Sequence, residues 1–549
     1  MIESISLKFT ESENLLVVPA QGVTVFVGPN NSGKSLVLRE LETALSTHGA
    51  VVSKLLKDFE IIWPSDVQLK EDIAKLQKKS PADTRPDHVY VGRFRPNGKW
   101  EGSYIDQNNL VAVINAREKY WAGSQFFRFF QIRLDGRTRF DLTNDSERGD
   151  LLELPQNVLA KLFQEDDLRK EISNIVHDAF GIYFVIDPTD GGKLRIRLSQ
   201  NPPTHDEQSL GKSARDFHGA AIHIKDASDG VQAFIGILTA VRSGDYRSIL
   251  IDEPEAFLHP PLARKLGHVL ASIISKQGGS LMASTHSPDF LMGCLQASPS
   301  VRVVRMEYSK GKSKGQIVDS TELSKLFKAP LMRSSNVISA LFHDGVVITE
   351  SDNDRVFYSE IYHRLAEADK GYPSLLFVNA QNKQTIKDIM GPLRAFGVAS
   401  AAIVDIDILK DGGATWTGWL QTAQLPQMLH TGLGQVRNEL NKKFEASSID
   451  MKSAGGVDAL SNADKNAAHE LFDTLMQYGV FVVRKGELES WLKNLNVSGK
   501  KTDWTIGMLG RLGDDPSDAA YVVPASNDVW EFMRGIVSWI KNPARKGTP

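Results

Sequence analysis

The sequence predicts an α/β protein built from two successive units, and three observations carry that reading. An apolar strand, Val23–Val27, runs into the glycine-rich turn Gly28–Ser35 and then a helical stretch from Lys34 to about Leu45. A second apolar strand, Ser248–Ile251, ends in the paired acids Asp252-Glu253. After about residue 325 the pattern restarts as strand, helix, strand, helix, strand, the order from which parallel sheets are built.

The elements follow in chain order. Residues 1–27 read as strands and turns, 66–79 as an amphipathic stretch, and 80–88 as a polar break. Phe130–Leu134 and Arg137–Phe140 read as strands around the Asp135-Gly136 turn. Residues 157–180 read as helical, Tyr183–Ile186 and Leu194–Leu198 as a hairpin, and 199–216 as a polar loop. Helices are predicted over 229–242 and Leu262–Ser275, with the strand Ser280–Ala283 after them. In the second unit the strands are Val346–Thr349, Leu375–Val378, Ala401–Val404 and Val480–Val483. Helices Arg355–Ala368 and Thr385–Phe396 alternate with the first three, and 409–477 interrupts the order. The domains are therefore placed at 1–325 and 346–549, joined by a linker at 326–345. The helical region near 157–180 is an insertion or dimerisation element of the first domain, and 409–477 an insertion in the second.

Composition limits the classes open to this chain. Its 549 residues are 41% hydrophobic and 24% charged, as in ordinary globular proteins, and the length favours more than one domain. No run of about 18 apolar residues occurs, so a membrane span is not expected. A lone cysteine, Cys294, rules out an internal disulfide framework or a Cys-rich zinc site. No secretory signal is visible, and a cytoplasmic setting is the simplest expectation. The 64 basic and 67 acidic residues give a formal charge of -3, which is not the global footprint of a nonspecific DNA binder but leaves room for a local basic groove.

Gly28-Pro29-Asn30-Asn31-Ser32-Gly33-Lys34-Ser35 has the full phosphate-loop spacing, after a strand and opening a helix. Such a turn aims backbone N–H groups and a helix N-terminus at a phosphate. Asn30, Asn31, Ser32 and Gly33 would form the cradle, Lys34 would reach the β- and γ-phosphates of ATP, and Ser35 would hold Mg²⁺. Asp252 would join the Mg²⁺ shell and Glu253 would orient or deprotonate the attacking water. His286, after the strand Ser280–Ala283, is either a packing residue or a sensor of the γ-phosphate. In the second unit Glu350 and Asp354 follow one strand, and Asp405 and Asp407 follow another. Their oxygens suit Mg²⁺ or Mn²⁺ if they converge, and are solvated loop acids if they do not.

The first-unit motifs resemble the ABC-type ATPases of the SMC, RecF and Rad50 kind. Leu258-His259-Pro260 resembles their D-loop, Ser284-Thr285-His286-Ser287 their switch histidine, and Ser228-Asp229-Gly230-Val231-Gln232 their signature segment. Asp229 stands where many relatives carry a small residue. The resemblance implies that Ser228 and Gly230 complete the ATP site of an opposite subunit in a homodimer. Gln107 and Gln131 are the two candidates for the Q-loop glutamine.

The second unit resembles a Toprim domain. Glu350-Ser351-Asp352-Asn353-Asp354 matches its first motif, with Ser351 in place of the usual glycine, and Asp405-Ile406-Asp407 matches its second. Lys485-Gly486-Glu487-Leu488-Glu489 resembles the acidic segment of the overcoming-lysogenization-defect nucleases, with Glu489 favoured over Glu487 as the metal-facing acid and Lys485 as a phosphate contact. An ABC ATPase followed by a Toprim domain is the arrangement of that family, and the Gabija nuclease subunit is built similarly. The resemblance implies a nucleotide-regulated, metal-dependent DNA endonuclease acting by a two-metal mechanism in defence against phage. Double-stranded or nicked DNA would be the substrate, the assembly a homodimer or homotetramer, and an accessory defence protein a further partner. The alternative is an ATP-dependent DNA-binding or repair scaffold whose Toprim domain is inactive.

Overall fold

The computed structural model describes the chain except residues 50–51, 78–87, 96–99, 154, 156, 205, 299, 319–322, 324–334 and 549. It divides into two compact units, one reaching Ser320 and the other running from Thr321 to Pro549. The turn Gly28–Asn30 is continuous with the strand before it and the helix after it and is described with them.

The first unit is centred on a six-stranded sheet. Its order is Lys312–Val318, Arg302–Ser309, Gly22–Val27, Ser280–Ser284, Ser248–Asp252 and Gln131–Leu134, parallel throughout except for the edge strand Lys312–Val318. The Val-, Ile- and Leu-rich strands read as nearly continuous apolar runs because both faces of a parallel sheet are covered. A second, antiparallel sheet of Leu16–Pro19, Ile2–Leu7 and Leu56–Ile61 supplies Ile2, Ile5, Leu7 and Phe59 to a core shared with Val37, Leu38 and Leu41 of the helix Lys34–Ser46 and with Phe26, Leu250 and Met282 of the parallel sheet. That core seats the helix which follows the phosphate loop.

Two expectations need correction here. Arg137–Phe140 is not a strand, because Thr138–Asp141 forms one helical turn. Its four residues are too few for periodicity to separate strand from helix. Likewise 199–216 is not all loop, since the helix Lys212–Ala220 starts within it. The stretch 66–79 is helical over Asp66–Leu76, and nearly all of the polar break 80–88 lies outside the described residues. The region near 157–180 forms two helices, Val158–Gln164 and Asp166–Phe180.

In the second unit four parallel strands lie in the order Leu375–Asn379, Gly345–Thr349, Ala399–Asp405, Val480–Val483. Alternation divides their side chains between two faces. Val347, Ala401, Ile403 and Phe481 share a core with Phe357, Trp504, Trp530 and Ile540 of the helices Asp352–Ala368, Thr502–Leu512 and Asp528–Lys541. The helix Lys383–Ala395 packs on the two central strands as well. From that helix the fully buried Arg394 donates to the carbonyls of Ser400 (2.8 Å), Ala423 (3.1 Å), Tyr478 (2.8 Å) and Gly547 (2.6 Å). One guanidinium thereby ties the end of the helix Gly413–Thr422 and the residue after the helix Asn462–Gln477 to the sheet. Of the expected linker, 326–334 lies outside the described residues, and the helix Ser335–Ser339 precedes the first strand. Among the described residues no helix is long and apolar enough to cross a membrane.

Candidate functional site

The phosphate loop is shaped by backbone that few side chains tolerate. Gly28, Asn31 and Gly33 have φ of 143°, 62° and 95°, and a Cβ on Gly33 would stand 2.7 Å from Leu55 Cδ1. The positive φ at 33 favours glycine, and a Cβ there would also have to push the end of the Leu55 side chain aside. Asn30 and Asn31 are exposed, Gly33 and Ser35 half-buried, and Ser32 and Lys34 buried. Lys34 Nζ donates to Ser32 Oγ at 3.3 Å. Burial pushes the Lys34 ammonium down to about 8, against the opposing pull of Glu253, Glu255 and Asp252. A desolvated cation in a concave loop of N–H groups is poised for an anion.

The acidic strand ends beside it. Asp252 accepts a hydrogen bond from Ser284 Oγ, and Glu253 N donates to Ser284 O at 2.8 Å, so the strand ends of Ser248–Asp252 and Ser280–Ser284 are locked together. Glu253 takes φ 52°, a left-handed turn that a residue with a side chain adopts only under constraint. The constraint is Arg139. Completely buried, it donates to the carbonyls of Asp135 (3.0 Å), Asp252 (2.9 Å), Glu253 (2.9 Å) and Ala256 (3.3 Å). Glu255 accepts from Thr285 Oγ1 and from His286 N, both at 2.7 Å, which ties the histidine turn to the acidic turn. Burial raises the Glu255 carboxyl and lowers the His286 imidazole, the latter helped by Lys34.

Lys34, Asp252, Glu253 and His286 are thus one electrostatic group, and Arg139 and Glu255 are members that sequence reasoning missed. Glu255 was signalled by its place in the acidic run. Ser228 is the N-cap of the helix Asp229–Ser243, and a Cβ on Gly230 would meet Phe257 O at 2.7 Å, so the signature segment packs on the loop after the acidic strand. Gln131 begins its strand, opposite Ser248, at the end of the sheet away from Asp252, and Gln107 opens the helix Gln107–Asn115. Asp135 follows the C-terminal end of the Gln131 strand.

The second group lies at the carboxyl ends of the two central strands of the second unit. Asp405 N donates to Glu350 Oε1 at 3.2 Å. Burial, then Asp405, pushes the Glu350 carboxyl up to about 8, and burial pushes Asp405 up to about 7 against the pull of Lys452. Asp354 Oδ2 accepts from Ser351 N (3.0 Å) and Ser351 Oγ (2.8 Å), while Ser351 Oγ accepts from Asp354 N, forming a capping box on the helix Asp352–Ala368. The serine that departs from the usual glycine therefore serves as the helix cap. Burial raises Asp354, and Glu489 adds to the effect. Glu489 Oε1 accepts from Lys501 N at 2.7 Å. Lys485 is half-exposed and its ammonium stands 3.6 Å from Asp528 Oδ1, directed to that acid.

Two other lysines serve the acids directly. Lys452 Nζ lies 2.6 Å from Asp405 Oδ2 and 3.1 Å from Asp407 Oδ2, and Lys383 Nζ lies 2.9 Å from Asp407 Oδ1 and 3.3 Å from Asp411 Oδ1. Burial opposes the Asp407 charge, and Lys383 then Lys452 overcome it, holding the carboxyl below its ordinary range. Among the described residues no group of three or more His, Cys, Asp or Glu is arranged to hold a metal ion. The donors are nevertheless all hard oxygens. Among the described residues Glu350 Oε2, Asp354 Oδ1, Asp405 Oδ1 and Glu489 Oε2 accept no hydrogen bond, so the set suits Mg²⁺ or Mn²⁺ chemically. Trp416 and Trp419 are buried, which leaves neither ring a face for a base.

Two family models match the chain. Residues 23–292 match the family described as "AAA domain, putative AbiEii toxin, Type IV TA system". Residues 341–407 match the Toprim domain of overcoming-lysogenization-defect-like proteins. The protein is an ABC-type ATPase fold followed by a Toprim domain. A curated OLD nuclease of Thermus scotoductus is 25% identical over 191 residues, a segment that spans 33% of this chain and 35% of that protein. The chain thus matches about a third of that relative's length. Among solved structures, an SMC head bound to the C-terminal winged-helix domain of ScpA covers 59% of this chain and 99% of its own at 17% identity and a TM-score of 0.35. The SMC head domain of Thermotoga maritima covers 58% and 99% at 14% identity and a TM-score of 0.30. The fold assignment rests on the sheet order and the family models. Glu350, Asp354, Asp405 and Asp407 all fall within the matched Toprim segment, while Lys452, Lys485 and Glu489 lie beyond it.

Proposed function

We propose that this protein binds ATP at the phosphate loop and hydrolyses DNA phosphodiester bonds at the Toprim acids with divalent metal, nucleotide state regulating the cut. The carrying observation is the pair Glu350 and Asp405, half-buried side by side at adjacent strand ends with raised carboxyls. Holding partly desolvated carboxylates side by side costs free energy unless a cation compensates. Glu350, Asp354, Asp405, Asp407 and Glu489 would hold Mg²⁺ or Mn²⁺, which when bound supplies an activated water and charge neutralisation at phosphorus. The residues' own part would be to offer hard oxygens to the ion and to orient the phosphate. At the other site Lys34 would bind the nucleotide phosphates, Ser35 and Asp252 the Mg²⁺, Glu253 would position water, and His286 would read the γ-phosphate. Ser228 and Gly230 would serve the opposite subunit of a homodimer.

Plasmid DNA incubated with Mg²⁺ or Mn²⁺, with and without ATP, tests this reading. Metal-dependent nicking that a chelator abolishes is expected. A chain that binds DNA in an ATP-dependent way but leaves every plasmid intact would instead be the repair scaffold.

A further inference from the structure

We propose that Lys452 is a built-in counter-ion of the Toprim acids, which occupies the space between Asp405 and Asp407 and is displaced when a divalent cation enters. The inference rests on the metal-binding reading of those acids. Lys452 arrives from the long insertion and is 47 positions from Asp405 in sequence, yet its ammonium bridges the facing oxygens of both aspartates, at 2.6 and 3.1 Å. Lys383 differs, since it touches Asp407 and Asp411 and leaves Asp405 alone.

The backbone that carries Lys452 is held in place by two glycines. Gly486 has φ 122°, and a Cβ there would stand 2.0 Å from Lys452 O. Gly456 has φ 62°, and a Cβ there would stand 2.1 Å from Arg484 O. Val457 N donates to Arg484 O at 2.9 Å, and Ile406 N donates to Gly486 O at 3.1 Å. The turn 484–486 is therefore stitched on one side to the insertion and on the other to the residue between the two aspartates. The backbone at Lys452 packs closely on Gly486, so its position relative to the two aspartates is set by the turn and not by the lysine side chain. The side chains of Lys452, Asp405 and Asp407 retain 25%, 19% and 21% of their exposure, so an ion can reach the bridge from solvent.

A divalent cation seated between Asp405 Oδ2 and Asp407 Oδ2 would fill the space the ammonium now holds, and its charge would repel the ammonium from there. The lysine would keep the acids converged in the absence of metal and would compete with the metal for them. Once displaced, its charge would remain beside the site, where an incoming phosphate needs it.

The experiment is Mn²⁺ binding to the full-length, nucleotide-free protein, read by electron paramagnetic resonance for wild type, Lys452→Met, Lys452→Gln, Lys452→Arg and Asp405→Ala, with circular dichroism to confirm folding. Removing a unit charge next to a divalent ion should tighten Mn²⁺ binding about tenfold in Lys452→Met or Lys452→Gln, even at a high effective dielectric. Lys452→Arg should stay within about twofold of wild type, because it keeps the charge. Mn²⁺ binding in folded Lys452→Met and Lys452→Gln that is equal to or weaker than wild type overturns the proposal, since the lysine is then a structural fastener. If Asp405→Ala binds Mn²⁺ as wild type does, the failure lies in the metal-site reading itself, and the counter-ion role falls with it.

Discussion

Lys34 and Glu253 make opposite demands on the nucleotide site, and each can be tested alone. Glu253→Gln keeps the side-chain volume and loses the charge that would position water, so ATP affinity should hold while turnover falls about a hundredfold or more. Unchanged turnover in the folded variant removes Glu253 from that role. Lys34 gives a pH prediction. Its ammonium is pushed down to about 8 by burial from an ordinary 10.5, so the unfolded chain binds more protons than the folded one between those values. The folded state is therefore penalised at lower pH and relieved as pH rises through that window. A bound polyphosphate would add negative charge beside the lysine and should draw its proton back. Titration calorimetry at about pH 8.5 in buffers of different ionisation enthalpy should show net proton uptake on ATP binding. Proton release, or no proton exchange, would mean that Lys34 does not meet the phosphates.

Arg139 sets the acidic turn from a neighbouring element, and its loss should be felt in both stability and turnover. Removing the guanidinium strands four part-buried carbonyls, which costs about 1–3 kcal/mol. Arg139→Ala should show this as a lowered denaturation midpoint, and Arg139→Lys should recover part of it without restoring full ATP turnover, because an ammonium cannot reach four acceptors in one plane. Full ATP turnover in Arg139→Lys would show that the left-handed Glu253 turn needs no fork. The sequence was silent about this residue, since a single helical turn carries no periodicity of its own. The phosphate loop and the Asp252-Glu253 pair were legible because strand, loop and helix are contiguous there, and the spacing encodes the geometry. Lys452 was illegible for the opposite reason. Its contact with Asp405 is made across an insertion and through glycine-permitted backbone approaches that no local pattern reports. The parallel direction of the Toprim strands could be anticipated from the β-α-β alternation, whereas their order could not. The capping role of Ser351 required the side-chain geometry.

At the scale of the whole molecule the signature helix and the two-site architecture make the remaining predictions. Ser228 begins a helix whose first turn rests on Phe257, an aromatic left 53% exposed. A shared ATP site would bring a second copy to this surface, and light scattering should then find at least twice the chain mass of 60.7 kDa. A strict monomer with normal ATP turnover contradicts a shared site. The central claim is that the phosphate-loop site and the Toprim acids are chemically separate, one for nucleotide and one for DNA. Its most direct measurement is plasmid cleavage with Mg²⁺ or Mn²⁺ by Asp405→Ala and Asp407→Ala, alongside nucleotide affinity of the same preparations. Cleavage should fall about a hundredfold or more in both variants while ATP affinity stays at the wild-type value; wild-type cleavage by both folded variants would contradict the account.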